Sequence, residues 1–326
     1  MVLRELRVCA ALRGRAHIAR LVTFTLKGGS KGNPLVCYLQ YDRATTDMQR
    51  LVNSGLKRSA HFGTAAARRA AATQLLCALD EMHGHGVAHR DLKPANILCV
   101  LPEAVGSGAR TEQSPASGGG VAPTTAAVKL QLCDFGSARA IGCSAPRRSG
   151  TLWYRPPEVV VAAGGSTSGG SCVVLPSHDL WALGATLTEL LSGKPLLAAN
   201  DEAHWVTLHA GLAGSGGGRV PRGAAKDEAA LLAALLSDNP AARADISAVR
   251  HHLACTAGSD DDGEAEASVP VSVADAEEDT GTSSSEARRC TVVLDDVEAA
   301  ESAEAILRLL KAEVGARPPA DGASCM

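Results

Sequence analysis

The chain has 326 residues, 45% of them hydrophobic, and a formal net charge of -3. That length carries one large domain or two small ones with a sizeable buried core. The charge balance excludes a general nucleic-acid binder, which needs a clustered basic face. Ten cysteines are scattered without a C-x-x-C pair, which argues against a zinc ribbon and reads as reduced thiols of an intracellular protein. No apolar run reaches the roughly 18 residues of a membrane span. The expectation is a cytoplasmic or nuclear protein, with neither membrane nor nucleic acid as partner.

In chain order, Leu3, Leu6, Val8 and Leu12 recur at helical spacing and predict an opening amphipathic helix. Its arginines would also suit a transit peptide, though no secretory apolar region is present. Residues 18–26 and 35–41 predict two strands around the turn-rich KGGSKGNP. The Ala-rich stretch 64–83, with Leu75, Leu76, Leu79 and Met82 on one face, predicts a long helix. Short apolar runs at 97–101 and 129–133 flank a Gly/Ser/Pro/Ala-rich surface insert, residues 102–127, and a smaller Gly/Ser insert covers 163–172. Residues 179–192 form the most hydrophobic predicted helix, and further helices are predicted at 201–212, 226–236 and 246–253. Residues 256–326 read as an acidic, Ser-rich, largely disordered tail with one amphipathic helix at 297–316.

Three blocks carry the chemistry: HRDLKPANIL at 89–98, CDFGSAR at 133–139 and GTLWYRPPE at 150–158. In that order, with a helix before the first and a strand before the second, they resemble the catalytic loop, metal-binding loop and activation-segment anchor of eukaryotic protein kinases. HRDLKP with Lys93 resembles the serine/threonine type, and TLWYRPPE the cyclin-dependent and MAP kinase (CMGC) group. The resemblance covers about residues 1–255 and implies an α+β fold, a small N-lobe sheet over a mainly helical C-lobe. It implies transfer of the ATP γ-phosphate to Ser or Thr of protein substrates, with Pro favoured after the target.

Phosphoryl transfer needs positioning and charge neutralisation more than covalent help. By resemblance, Asp91 orients the attacking hydroxyl and accepts its proton, Lys93 neutralises the transferring phosphate, and Thr151 steadies both. Asn96 and Asp134 are the implied Mg²⁺ ligands, hard oxygens beside the triphosphate. Glu5 matches the glutamate of the regulatory helix, where a cyclin-like activator would press. QYDRATTDM resembles the hinge, with Leu39 as gatekeeper, Gln40 and Tyr41 beside the base and Asp47 near the ribose; Leu98 and Cys133 complete the implied nucleotide wall. His89 and Phe135 are implied members of an internal spine. Arg90 is the implied receiver of a phosphate or acid from the activation segment. Asp179 is the implied anchor of the catalytic loop, and Glu158 with Arg243 an implied ion pair.

The sequence also departs from the family. Four residues precede Glu5, and no G-x-G-x-x-G followed by V-A-I-K occurs in the chain. The expectation is a sheet lacking its first three strands, with one edge unpaired and Glu5 without its cation. Pro146 falls near the expected phosphothreonine, leaving Ser144, Ser149 or Thr151. Two readings stay open: an active serine/threonine kinase, or a catalytically impaired kinase-like binding or scaffold protein. A small-molecule phosphotransferase of related fold is a more distant third.

Overall fold

The computed structural model describes residues 2–27, 35–102, 128–161, 170–214, 219–256 and the strand 289–294. The insert expected at 102–127, apart from its first residue, the helix expected at 297–316 and the tail's acidic stretch at 257–288 lie outside the described residues.

The architecture is α+β, a small antiparallel sheet beside a mainly helical body. Helix α1 (Val2–Ala11) opens the chain and buries Leu6, Val8, Cys9 and, just past its end, Leu12. Strands β1 (Leu21–Lys27) and β2 (Leu35–Tyr41) form an antiparallel pair, Phe24 opposite Leu39. Along β2, Cys37, Leu39 and Tyr41 are buried while Val36, Tyr38 and Gln40 are half-buried, the period-2 pattern of a sheet with one face on the core. Then come β3 (Thr46–Asp47), α2 (Met48–Asn53), α3 (Gly55–Phe62) and the long α4 (Ala65–Gly84), whose Leu75, Leu76, Leu79 and Met82 are buried. Asp47 caps α2 by accepting from Arg50 N at 2.9 Å, and Thr64 caps α4 by accepting from Ala67 N at 3.1 Å. Helices α2 and α3 were not expected; both are short, and their turns alone give a weak periodic signal.

After β4 (Val87–Ala88) a tight turn at Pro94–Asn96 leads into β5 (Ile97–Val100), which pairs with β6 (Lys129–Leu132), Ile97 opposite Leu132. Strand β7 (Arg139–Ala140) pairs with β4, and β8 (Ser144–Pro146) with β9 (Ser171–Val173), which follows the short helix α5 (Pro157–Val160). Helix α6 (Pro176–Ser192) is buried almost all round, as a helix in the centre of a core must be. It packs on α4 and on α8 (Lys226–Leu235), and Gly184 is where α8 comes close: a Cβ there would lie 2.9 Å from Leu235 Cβ. Helices α7 (Glu202–Gly214) and α9 (Ile246–Thr256) complete the body.

One expectation is corrected by the last strand. Residues 289–294 form β10 (Arg289–Leu294), antiparallel to β2 with Cys290 opposite Leu39 and Val292 opposite Cys37. The expected unpaired edge of β2 is therefore covered. The segment RCTVVL is rich in β-branched residues, and β2 offers it a row of open backbone groups.

Candidate active site

The β5–β6 hairpin builds the centre of the site. Its register brings the two chain ends together, Cys133 N donating to Asn96 O at 3.0 Å, so Asn96 and Asp134 leave the hairpin side by side. Asp91 lies at the focus of the bonds from Thr151 and Lys93. The Thr151 backbone N–H and hydroxyl both donate to its Oδ1 at 2.8 Å, and Lys93 Nζ donates to its Oδ2 at 2.9 Å. Lys93 also reaches Thr151 Oγ1 at 2.7 Å, and Asn96 Nδ2 donates to Asp91 O at 2.9 Å and Oδ2 at 3.1 Å. Burial pushes the Asp91 carboxyl upward, but the Lys93 ammonium and the Thr151 donors outweigh it and hold the group below the ordinary carboxylate range. Gly150, at φ +77°, makes this approach possible: a Cβ there would stand 2.2 Å from Arg90 O.

The loop carrying Asp91 is held from beneath. Asp179 of α6 is fully buried and accepts from His89 N, Arg90 N and His83 Nε2, each at 2.8 Å. Its burial favours the neutral acid, yet these bonds win and keep the carboxyl below its ordinary range. Arg90 is thereby fixed at φ +67°, a conformation a side chain rarely adopts unaided. His89 donates from Nε2 to Cys133 O at 3.2 Å and accepts at Nδ1 from Asp91 N at 3.2 Å, which fixes its Nε2–H tautomer. Its ring meets buried Phe135 edge-on at 5.6 Å. Asp134, also at positive φ (+64°), accepts from Gly136 N at 3.3 Å, and Arg4 of α1 donates to Gly136 O at 3.1 Å.

The remaining nucleotide-wall candidates fall into two groups. Asp47 lies opposite Leu98 in the β3–β5 ladder, with Cys133 near by, its thiol directed at Asn96 O. Glu5 and Tyr41 form the second: Tyr41 Oη donates to Glu5 Oε1 at 2.7 Å, with Cys9 Sγ 3.5 Å from the phenol oxygen. Leu39 lies next to this pair along the same face of β2. Leu39 and Tyr41 both point to the core from β2, but Leu39 is fully enclosed and only the phenol reaches Glu5. Gln40 lies on the opposite face of β2. Glu5 is 1% exposed, and its Oε2 has no hydrogen-bond partner among the described residues. Burial therefore raises the Glu5 carboxyl, only partly offset by Tyr41, and pushes the Cys9 thiol up to about 12.

Glu158 and Arg243 meet bidentately at 2.7 and 3.0 Å, with Arg243 also donating to Ser177 O and Ser237 O. Sequence reasoning missed His83 under Asp179, and the chain Tyr154–Glu189–Gln49, where Tyr154 Oη donates at 2.6 Å and Gln49 at 2.9 Å to the buried Glu189. It also left Arg155 without a task, though the residue sits inside the third block; its Nη2 donates to Gly150 O at 2.7 Å. A polar group between apolar neighbours in a motif was the only available signal.

The protein kinase domain family matches residues 1–253, and the chain belongs to it. It is 32% identical over 203 residues to a putative cyclin-dependent kinase F-2 of Oryza sativa subsp. japonica, covering 61% of this chain and 52% of that protein. It is 28% identical over 207 residues to the mitogen-activated protein kinase SLT2/MPK1 of Saccharomyces cerevisiae, and 28% over 208 to MKC1 of Candida albicans. Each covers 61% of this chain but only 35% and 34% of the relative, so the chain spans between a third and about half the length of these proteins. The likeness is to the CMGC kinases.

Proposed function

We propose that this protein transfers the γ-phosphate of ATP to Ser or Thr of protein substrates, with Pro following the acceptor. The observation that carries the reading is the Asp91–Lys93–Thr151 cluster: an ionised carboxylate able to orient a hydroxyl, beside an ammonium able to meet phosphate charge. Asn96 and Asp134 would hold Mg²⁺. Among the described residues no three His, Cys, Asp or Glu side chains cluster, so these two would bind the ion together with nucleotide oxygens, as Mg²⁺ commonly is bound. ATP and its metal supply the transferable phosphoryl group and neutralise its charge. Leu39, Gln40, Tyr41, Asp47, Leu98 and Cys133 are the proposed nucleotide wall.

The preference for Pro is supported by Gly150, whose carbonyl is turned into Arg155 beside Asp91. With that carbonyl facing Arg155, an incoming peptide N–H is less well received there, and Pro alone has no N–H to leave unpaired. A cyclin-like activator is the partner proposed for α1, since Arg4 links that helix to Gly136 in the metal loop. The second reading, a kinase-like binding protein without turnover, is favoured by Glu5, which faces a phenol and no cation among the described residues. A positional peptide array with radiolabelled ATP and an Asp91→Asn control tests the proposal. Asp91-dependent labelling of Ser/Thr-Pro peptides is expected. Preference for Tyr acceptors, or labelling that survives in the control, overturns it; no labelling in either chain favours the second reading.

A further inference from the structure

Residues 139–147 of the activation segment are tied down link by link. Strand β7 pairs with β4, Ile141 N donates to Gly86 O at 2.8 Å, and Gly142 N donates to Val174 O at 2.9 Å. Val174 N returns a bond to Cys143 O at 2.9 Å, β8 pairs with β9, and Arg147 N closes the ladder on Gly170 O at 3.0 Å. Ala145 and Val174 are buried together with Ala88, Ile141 and Cys143 packing around them. Pro146 lies opposite Ser171, between the bonded positions 145 and 147, where a missing N–H does no harm. Arg90 Nη2 donates to the Pro146 carbonyl at 2.6 Å, and the Arg147 guanidinium donates to Val159 O at 3.1 and 2.5 Å.

Kinase activation segments are commonly ordered by a phosphate that recruits an arginine. Here Arg90 is the arginine, but the residue it meets is Pro146, which cannot be phosphorylated. Thr151 spends its hydroxyl on Asp91 and Lys93. We propose that β9, delivered from the Gly/Ser-rich insert, is a built-in strut for the activation segment. By pairing with β8 it imposes the order that a phosphate would otherwise impose, so residues 134–158 are ordered without phosphorylation. The competing account is that a phosphate on Ser144 or Ser149 must still reach the buried Arg90 Nη1, which has no partner among the described residues.

The test compares three forms of the full chain by hydrogen exchange and by trypsin cleavage at the adjacent Arg147 and Arg148: phosphatase-treated wild type, Cys172→Pro, which removes a ladder donor opposite Ala145, and Cys172→Val, which keeps it. Protected amides at Gly142, Ala145 and Arg147 are expected in phosphatase-treated wild type and in Cys172→Val. Exchange about tenfold faster, with earlier cleavage, is expected in Cys172→Pro. If thermal unfolding shows that the proline variant does not fold, Cys172→Gly with Val173→Gly weakens the same strand and must give the same loss. Protection unchanged in the strand-breaking variants, or protection in wild type that appears only on phosphorylation, overturns the strut. The inference takes its meaning from the kinase reading, but neither readout needs turnover. A protected segment in a protein that transfers no phosphate would count against that reading alone.

Discussion

Replacing Asp179 by Asn tests the frame beneath the catalytic loop. The carboxylate accepts His89 N and His83 Nε2 on one oxygen and Arg90 N on the other. Asn keeps one acceptor oxygen and sets an NH₂ group against the donors on the other side. At least one buried backbone N–H then loses its partner. A bond to a charged acceptor is worth about 1.5–3 kcal/mol, and an orphaned donor adds a comparable penalty, partly offset because no charge is buried any longer. The net cost is about 2–4 kcal/mol, which for a domain of this size lowers Tm by about 5–15 °C. The assay is thermal unfolding by circular dichroism, with hydrogen exchange at residues 89–92 to show the loosened loop. The folded Asp179 carboxyl titrates below its ordinary range, so its contribution is present above the unfolded value near 3.9 and is lost as pH falls through the folded value. The gap to wild type is therefore expected to be flat from pH 6 to pH 8. A Tm within about 2 °C of wild type, or a gap that changes across that window, would refute the reasoning.

Glu5→Gln is expected to raise Tm at neutral pH, because it removes a buried charge whose Oε2 has no partner among the described residues. Since the folded Glu5 carboxyl titrates above its ordinary range, wild type loses stability as pH rises through that value, and the advantage of Gln should shrink toward pH 4. Arg243→Ala strands Glu158 and two carbonyls, and melting curves should show a loss of about 3 kcal/mol, the low end for a broken buried pair because Glu158 is 19% exposed. Asp91→Asn in an active preparation should cut turnover about 100-fold or more while melting close to wild type, as a kinetic assay beside calorimetry would show. Val292→Pro should speed exchange of the β2 amides that face β10; unchanged exchange would mean that β10 contributes nothing to the sheet.

Where several independent signals coincide, the sequence was legible. Helices α4 and α6 announced themselves through apolar spacing, and His89–Asn96 and Asp134 through motif order, because chemistry constrains residue type and spacing there. The partner of Glu5 was not legible: Leu39 and Tyr41 share the inward face of β2, and only the reach of the phenol brings Tyr41 to Glu5. The β8–β9 and β2–β10 pairings join segments far apart in sequence; β8 and β9 have three residues each, too few for a periodic signal, and RCTVVL in β10 does not alternate apolar with polar. Propensity proposes strands, but partner choice is a tertiary event.

Two carboxyls of the cleft are driven in opposite directions, and the contrast says what each can do. Asp91 is pulled down by a bonded ammonium and two Thr151 donors, whereas Glu5 is pushed up by burial, an effect its bond from Tyr41 offsets only in part. A carboxylate held below the ordinary range is a weak base, so strong proton abstraction is not what this geometry provides. It provides a fixed acceptor for a hydroxyl proton, with Lys93 beside it where phosphate charge would develop. That suits a loose phosphoryl-transfer transition state, in which the nucleophile's proton leaves late and alignment matters more than basicity. Glu5 lacks this kind of support. It takes its partner from the far end of β2, and the burial that raises its carboxyl works against the charged form, which an approaching cation would favour again. The surroundings of Asp91 are thus organised by the described residues, while Glu5 has one hydrogen-bonded oxygen and one without a partner among them.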